Sequence, residues 1–179
     1  MRKLSVLLTG LLMASSLIAQ TRGPANGALV IVGGGMRDLT ILQTFAELAG
    51  GPDAPIVVIP TAGGAVIYDN NWAGLRQFRD AGLTNVRLLH TYDPEEADSE
   101  DFTRAIDQAS GVWFTGGRQW RLADAYLHNR THEALQALLN RGGVIGGSSA
   151  GATMLGSYLA RGDTQTNTIM MGDHEEGFG

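Results

Sequence analysis

The 179-residue chain contains no cysteine. That removes thiol nucleophiles, thiolate metal sites and disulfides, and it leaves the compartment open, because disulfide-free proteins occur on both sides of a membrane. Positive charge is in short supply: 13 Lys and Arg stand against 18 Asp and Glu, for a net charge of -5. A nucleic-acid partner held by phosphate neutralisation is not what such a surface suits. Two nucleotide-binding signatures are also wanting. No Gly-x-x-x-x-Gly-Lys-Ser/Thr occurs, and Gly33-Gly34-Gly35 has Asp38 where a dinucleotide fingerprint needs its third glycine. Histidine is sparse, with 4 in the chain.

What is present is globular in character. The chain is 44% hydrophobic and 17% charged, enough for one domain with its own core. Met1-Arg2-Lys3 is a basic start, and an apolar run from Leu4 to Ala19 follows before Gln20 turns polar. That is the shape of a secretory signal peptide, so residues 1–22 are assigned to export and 23–179 to the mature domain. Cleavage falls after Ala19 or after Ser16. The apolar run is short of the roughly 20 residues a membrane span needs, and no later run matches it. The expected location is secreted or periplasmic, with no stable membrane association once the signal is removed.

Beyond the signal, strand-like and helix-like stretches alternate. Ala28 to Val32, Pro55 to Pro60, Val86 to Leu89, Gly111 to Thr115 and Val144 to Ile145 read as strands, several of them apolar throughout, as strands buried on both faces are. Leu39 to Ala49, Trp72 to Ala81, Asp101 to Ala109, Leu122 to Leu127 and Glu133 to Asn140 carry helical spacing. The acidic stretch Tyr92 to Glu100 reads as a solvated loop leading into the helix at Asp101. This alternation predicts an α/β fold with a mostly parallel sheet and helices on both faces. Glycine pairs or triplets at Gly33, Gly63, Gly116 and Gly146 end strands at the carboxyl edge, where such sheets bind ligands. For Gly63-Gly64 the reading is only a tight-turn cap.

The last of these turns carries chemistry. Gly147-Ser148-Ser149-Ala150-Gly151 fits Gly-x-Ser-x-Gly, the nucleophile elbow. A serine at the tip of a sharp strand-to-helix turn needs small neighbours two residues away, and its hydroxyl then stands clear of the sheet. Backbone N–H groups at the helix start point to the same place and can stabilise an oxyanion. Ser149 is therefore the candidate nucleophile. Ser148 lacks the flanking glycines. The pattern is short, and in a chain with 25 glycines it also arises as an ordinary connection; the apolar strand before it and the helix-compatible Ala152-Thr153-Met154-Leu155 after it favour the elbow.

Phe114-Thr115-Gly116-Gly117-Arg118-Gln119, followed by Gly146-Gly147-Ser148-Ser149-Ala150-Gly151-Ala152, resembles the serine peptidase family of cyanophycinase and the aspartyl dipeptidases, and is closer to the cyanophycinase branch. The likeness runs from the Gly33 turn to Gly179. It implies a class I glutamine amidotransferase-like (flavodoxin-like) sheet and peptide hydrolysis by Ser, His and an acidic partner. Ser149 would be the nucleophile, the N–H groups of Gly117 and Ala150 the oxyanion hole, and Gln119 a substrate-binding side chain; Arg118 receives no role. The implied substrate is a peptide or a cyanophycin-like polymer, cleaved to β-Asp-Arg dipeptides. No metal or organic cofactor is implied, and a homodimer is implied by the resemblance alone.

The chain departs from the family in one respect. The family's histidine follows the elbow by several tens of residues, in an Asp-Gln-His-Phe type segment that is absent here. His174 is the one histidine after Ser149, but its neighbour Asp173 would point to the opposite face of an extended strand and could not orient it. His90, His128 and His132 are poorer still. The expectation is an incomplete domain whose serine lacks a base, and an unassisted serine is a weak nucleophile. Two other readings stand beside it: an α/β-hydrolase-type esterase, and a non-catalytic flavodoxin-like module whose glycine turns bind a small anion.

Overall fold

A computed structural model describes residues 23–162 and 173–179; the expected signal peptide lies outside the described residues. In chain order the elements are β1 (Ala28–Val32), α1 (Leu39–Leu48), β2 (Ile56–Ile59), α2 (Arg76–Asp80), β3 (Val86–Leu88), α3 (Pro94–Ala97), α4 (Glu100–Asp107), β4 (Gly111–Phe114), α5 (Trp120–Tyr126), α6 (Arg130–Asn140), β5 (Val144–Ser148), α7 (Ala150–Met154), β6 (Tyr158–Gly162) and β7 (His174–Glu176). Two short 3-10 turns, Thr61–Gly63 and Ala73–Leu75, interrupt the series.

The strands β1 to β5 form one sheet in the order β1-β5-β4-β2-β3. Every pairing in it is parallel. Successive side chains on a strand face opposite sides, so the apolar strands feed two cores at once. Ile56 and Val58 of β2, with Trp113 of β4, pack with Phe45 of α1 and Phe78 of α2. Val57, Ile59 and Phe114 point the other way, to Ile106 of α4, Tyr126 of α5 and Leu138 of α6. Each fully buried side chain of this size contributes about 1.5–3 kcal/mol. The expected α/β architecture, with its parallel sheet and helices on both faces, is what the chain adopts.

Three local expectations are corrected. The acidic stretch after Tyr92 is mostly helical. Asp93 caps α3 by accepting from the Glu95 N–H, Pro94 occupies its first turn, and Ser99 caps α4 by accepting from the Phe102 N–H. Glu95, Glu96, Glu100 and Asp101 then sit in first turns, where carboxylates oppose the exposed N–H dipoles favourably. Second, α6 begins at Arg130, ahead of Glu133, because the Asn129 side chain accepts from the N–H groups of Thr131 and His132. Third, β5 continues past Ile145 to Ser148 and pairs with β1 along its whole length, Val32 facing Ser148. Its glycines belong to the strand: a methyl at Gly146 would lie 2.2 Å from the Trp113 ring. The end of the chain adds a two-stranded antiparallel pair, β6 with β7.

The last residues are seated in the core. Phe178 is buried and its ring lies 5.3 Å from that of Phe114. Its N–H donates to Met154 O at 2.7 Å, and its carbonyl accepts from His132 and Gln136.

Candidate active site

Ser149 stands at the junction of β5 and α7 with φ 55° and ψ -116°, a backbone conformation that side-chain-bearing residues seldom adopt. Neighbouring geometry imposes it. The Ser149 N–H donates to Val32 O at 3.0 Å, and its carbonyl accepts from the Thr153 N–H at 3.0 Å, so one peptide belongs to the sheet and the next to the helix. The two motif glycines are required by space. A methyl at Gly147 would meet Gly151 backbone at 2.5 Å, and one at Gly151 would meet Phe114 O at 2.4 Å. The Ser149 hydroxyl does not cap α7, and the residue is exposed. Ser148, by contrast, is half-buried within β5.

Next to the elbow is the turn that follows β4. A methyl at Gly116 would lie 3.1 Å from Ser149 Cβ and 3.7 Å from its Oγ, so the two turns touch. Gly117 has φ 147° and passes so close to Ala62 that a Cβ would sit 1.9 Å from the Ala62 carbonyl oxygen. Only glycine fits there. Gln119 is 6% exposed, and its Nε2 donates to Ala160 O of β6 at 2.9 Å.

These residues share one cleft of about 440 Å³. Ser149, Ala150, Gly117 and Gln119 line it together with the β1 end, from Ile31 to Gly34, and with Ala160. All four residues singled out in the sequence for this site are thus brought together. The contributions of β1 and of Ala160 were not foreseen; the Gly33 turn was the one available hint of the former.

The histidines are elsewhere. None of the four lines the Ser149 cleft. His174 pairs with Asp124 of α5 at 2.8 Å, and His128 with Glu176 at 3.0 Å. Both pairs border a different cleft, between α5 and β7, which shares no residue with the first. His132 is bonded to the Phe178 carbonyl. His90 Nδ1 lies 2.8 Å from Thr61 Oγ1, and burial holds its pKa below the ordinary imidazole value against a smaller upward pull from Glu96. Tyr126, on the other side of Thr61 at 2.6 Å, has its phenol pushed up to about 12 by burial. Among the described residues no group of three or more His, Asp or Glu side chains is placed to hold a metal ion.

A strained, exposed serine beside glycine-turn amides is the geometry of acyl transfer, and known proteins point the same way. The model of Peptidase family S51 matches residues 29–178. The cyanophycinase of Synechococcus elongatus is 31% identical over 148 residues, covering 75% of this chain and 42% of the relative. That of Trichormus variabilis is 30% identical over 157 residues, covering 84% and 52%. The chain thus spans about half the length of the curated relatives it matches. A crystal structure of a peptidase from an acI-B1 Actinobacterium superposes with a TM-score of 0.63 at 25% identity, over 86% of this chain and 64% of that one. A putative peptidase E protein from Listeria monocytogenes shares the fold with a TM-score of 0.55, over 86% of this chain and 74% of that one. With the family pattern running from β1 through the elbow to the buried Phe178, the chain belongs to peptidase family S51, on its cyanophycinase-like side.

Proposed function

We propose that the chain carries the nucleophile and oxyanion hole of an exported serine peptidase that cleaves aspartyl peptide bonds of a cyanophycin-like polymer. The observation that carries this reading is the backbone of Ser149, held at φ 55° in an exposed position within the Gly117–Ala150 cleft. A structural serine gains nothing from that conformation. A nucleophile gains a hydroxyl clear of both strand and helix.

The reaction follows from the parts. Ser149 Oγ attacks the scissile carbonyl while a base removes its proton, and the carbonyl oxygen becomes an oxyanion facing the N–H groups of Gly117 and Ala150. Collapse expels the amine, which takes up the proton, and leaves an acyl-serine. Water then attacks this ester by the reverse sequence and frees the acid. Gln119, at the wall of the same cleft, contacts the aspartyl portion of the substrate. Among the described residues no histidine lines the cleft, so in this arrangement none of the four histidines stands where it could take the Ser149 proton. Membership in peptidase family S51 favours this reading over an α/β-hydrolase-type esterase.

The test is labelling by a fluorophosphonate probe. The protein should label at Ser149, and Ser149→Ala should not label. Labelling that survives Ser149→Ala would sink the nucleophile assignment. Cyanophycin incubated with the labelling-competent protein should release β-Asp-Arg dipeptides faster than ordinary peptides are cut. Export is checked by the mass of the mature N-terminus, which should lack the residues before the cleavage point in 1–22.

A further inference from the structure

The Gly117 turn lies against the carbonyl of Ala62, and that carbonyl is held by a side chain to which the chemistry above gives no part. Ala62 O accepts two hydrogen bonds: from the Arg118 N–H at 2.8 Å and from Arg121 Nη1 at 2.9 Å. Both lone pairs are used. Arg121 reaches back from the first turn of α5, half-buried, with its guanidinium 5.1 Å from the Trp120 ring centroid. Among the described residues it makes no ion pair; the nearby Asp124 pairs with His174. A cation placed for solubility would be free in water, whereas this one is spent on a backbone oxygen.

The segment being held is itself anchored from behind. Thr61 Oγ1 sits between His90 Nδ1 and the Tyr126 hydroxyl, and the Gly63 N–H donates to Pro60 O at 2.8 Å. The Ala62 carbonyl is therefore a fixed post. Gly117 bends around it at φ 147°, with no room for a Cβ, and the Arg118 N–H bond fixes the peptide that follows Gly117.

We propose that Arg121 is a positioning residue for the oxyanion hole: by clamping Ala62 O it sets the conformation of Gly117 and hence the direction of the Gly117 N–H. This rests on the reading of Ser149 as nucleophile for its catalytic meaning, but not for its structural content. Losing the clamp lets the Gly117 peptide rotate, and a rotated donor is equivalent to a missing one. Removing one oxyanion donor typically slows acyl transfer by about 100-fold or more.

The experiment uses Arg121→Met, which keeps an unbranched stem and removes the donors, and Arg121→Lys, which keeps a charged donor group. Two readouts are taken on the whole protein. The first is the backbone amide spectrum and hydrogen exchange, which needs no activity. Arg121→Met should move the Gly117 and Arg118 resonances and speed exchange at the Arg118 amide by about tenfold, as loss of a supporting hydrogen bond does. The second is the rate at which the fluorophosphonate phosphonylates Ser149, displacing fluoride, which should fall about 100-fold in Arg121→Met and recover in large part in Arg121→Lys. Unchanged Gly117 and Arg118 amides in Arg121→Met would overturn the proposal. So would amide changes spread through the sheet with a general loss of stability, or no recovery with lysine. If the unaltered protein is not labelled, the nucleophile reading fails, and the amide readout still decides whether Arg121 orients Gly117.

Discussion

Ser149 holds a backbone conformation that costs free energy, Gly117 one open only to glycine, and both are fixed by their neighbours. For Gly117 the neighbour is the Ala62 carbonyl, 1.9 Å from where a Cβ would be. Gly117→Ala must push that turn away from Ala62 and so displace the Gly117 peptide. We expect a loss of acylation of roughly 100- to 1000-fold and, from the forced backbone shift, about 1–3 kcal/mol of stability; rates of fluorophosphonate labelling beside urea melts measure the two. Equal rates in the variant would remove Gly117 from the oxyanion hole. Residue-scale features were the most legible in the sequence. The elbow spacing marks Ser149, because that turn needs small residues around it, whereas Gly117, Ala150 and Gln119 are picked out by the family resemblance of Phe114 to Gln119 and Gly146 to Ala152. What the sequence could not show was Ala62 O, since a backbone carbonyl leaves no mark in residue type.

At the scale of elements, the caps decide boundaries. Asn129 begins α6 a turn earlier than its apolar periodicity suggests, and Asp93 and Ser99 turn an acidic stretch into two helices. Charge density read alone pointed to a loop; the side-chain caps outweighed it. The connection after β3 adds a titratable element. His90 is edge-on to Tyr68 and Tyr92, with ring centroids 4.8 Å and 4.6 Å away, and it is bonded to Thr61. Burial makes it take a proton less readily in the fold than in the unfolded chain. The unfolded chain binds that proton at about pH 6.5, so just below this pH it holds more protons than the fold does. Stability there rises with pH. The contribution is complete above about pH 6.5 and is lost as pH falls through the lower folded-state value. The urea midpoint should therefore drop as pH falls below about 6.5. His90→Gln should flatten that dependence, and an unchanged slope would assign it to other groups.

The molecule as a whole is a parallel sheet with a core on each face, and this was readable because strands buried on both sides leave uninterrupted apolar runs. The β6–β7 pair was not. β7 is only three polar residues and β6 only five, and an antiparallel closure after a βα series has no periodic signal of its own. Nor was the seat of Phe178 foreseen, because a lone aromatic in Gly177-Phe178-Gly179 has no pattern around it. Yet Phe178 is packed on Phe114, directly behind the turn that carries Gly117, with its carbonyl held by α6. Phe178→Ala should cost about 3 kcal/mol, at the low end for a buried phenylalanine, and lower the melting temperature by roughly 10 °C for a chain of this size. A shift under a third of that would show that the α6–β4 layer closes without it.

The dihedrals of Ser149 have a consequence for the whole fold. At φ 55° and ψ -116° glycine is at ease and serine is not. Ser149→Gly should therefore give a dead protein that melts higher than the parent, by about 1 kcal/mol in stability. Selection for folding alone would replace the serine. Its presence at that angle records a demand other than stability, and a library sorted first for thermal resistance and then for labelling would show the two demands pulling this position in opposite directions.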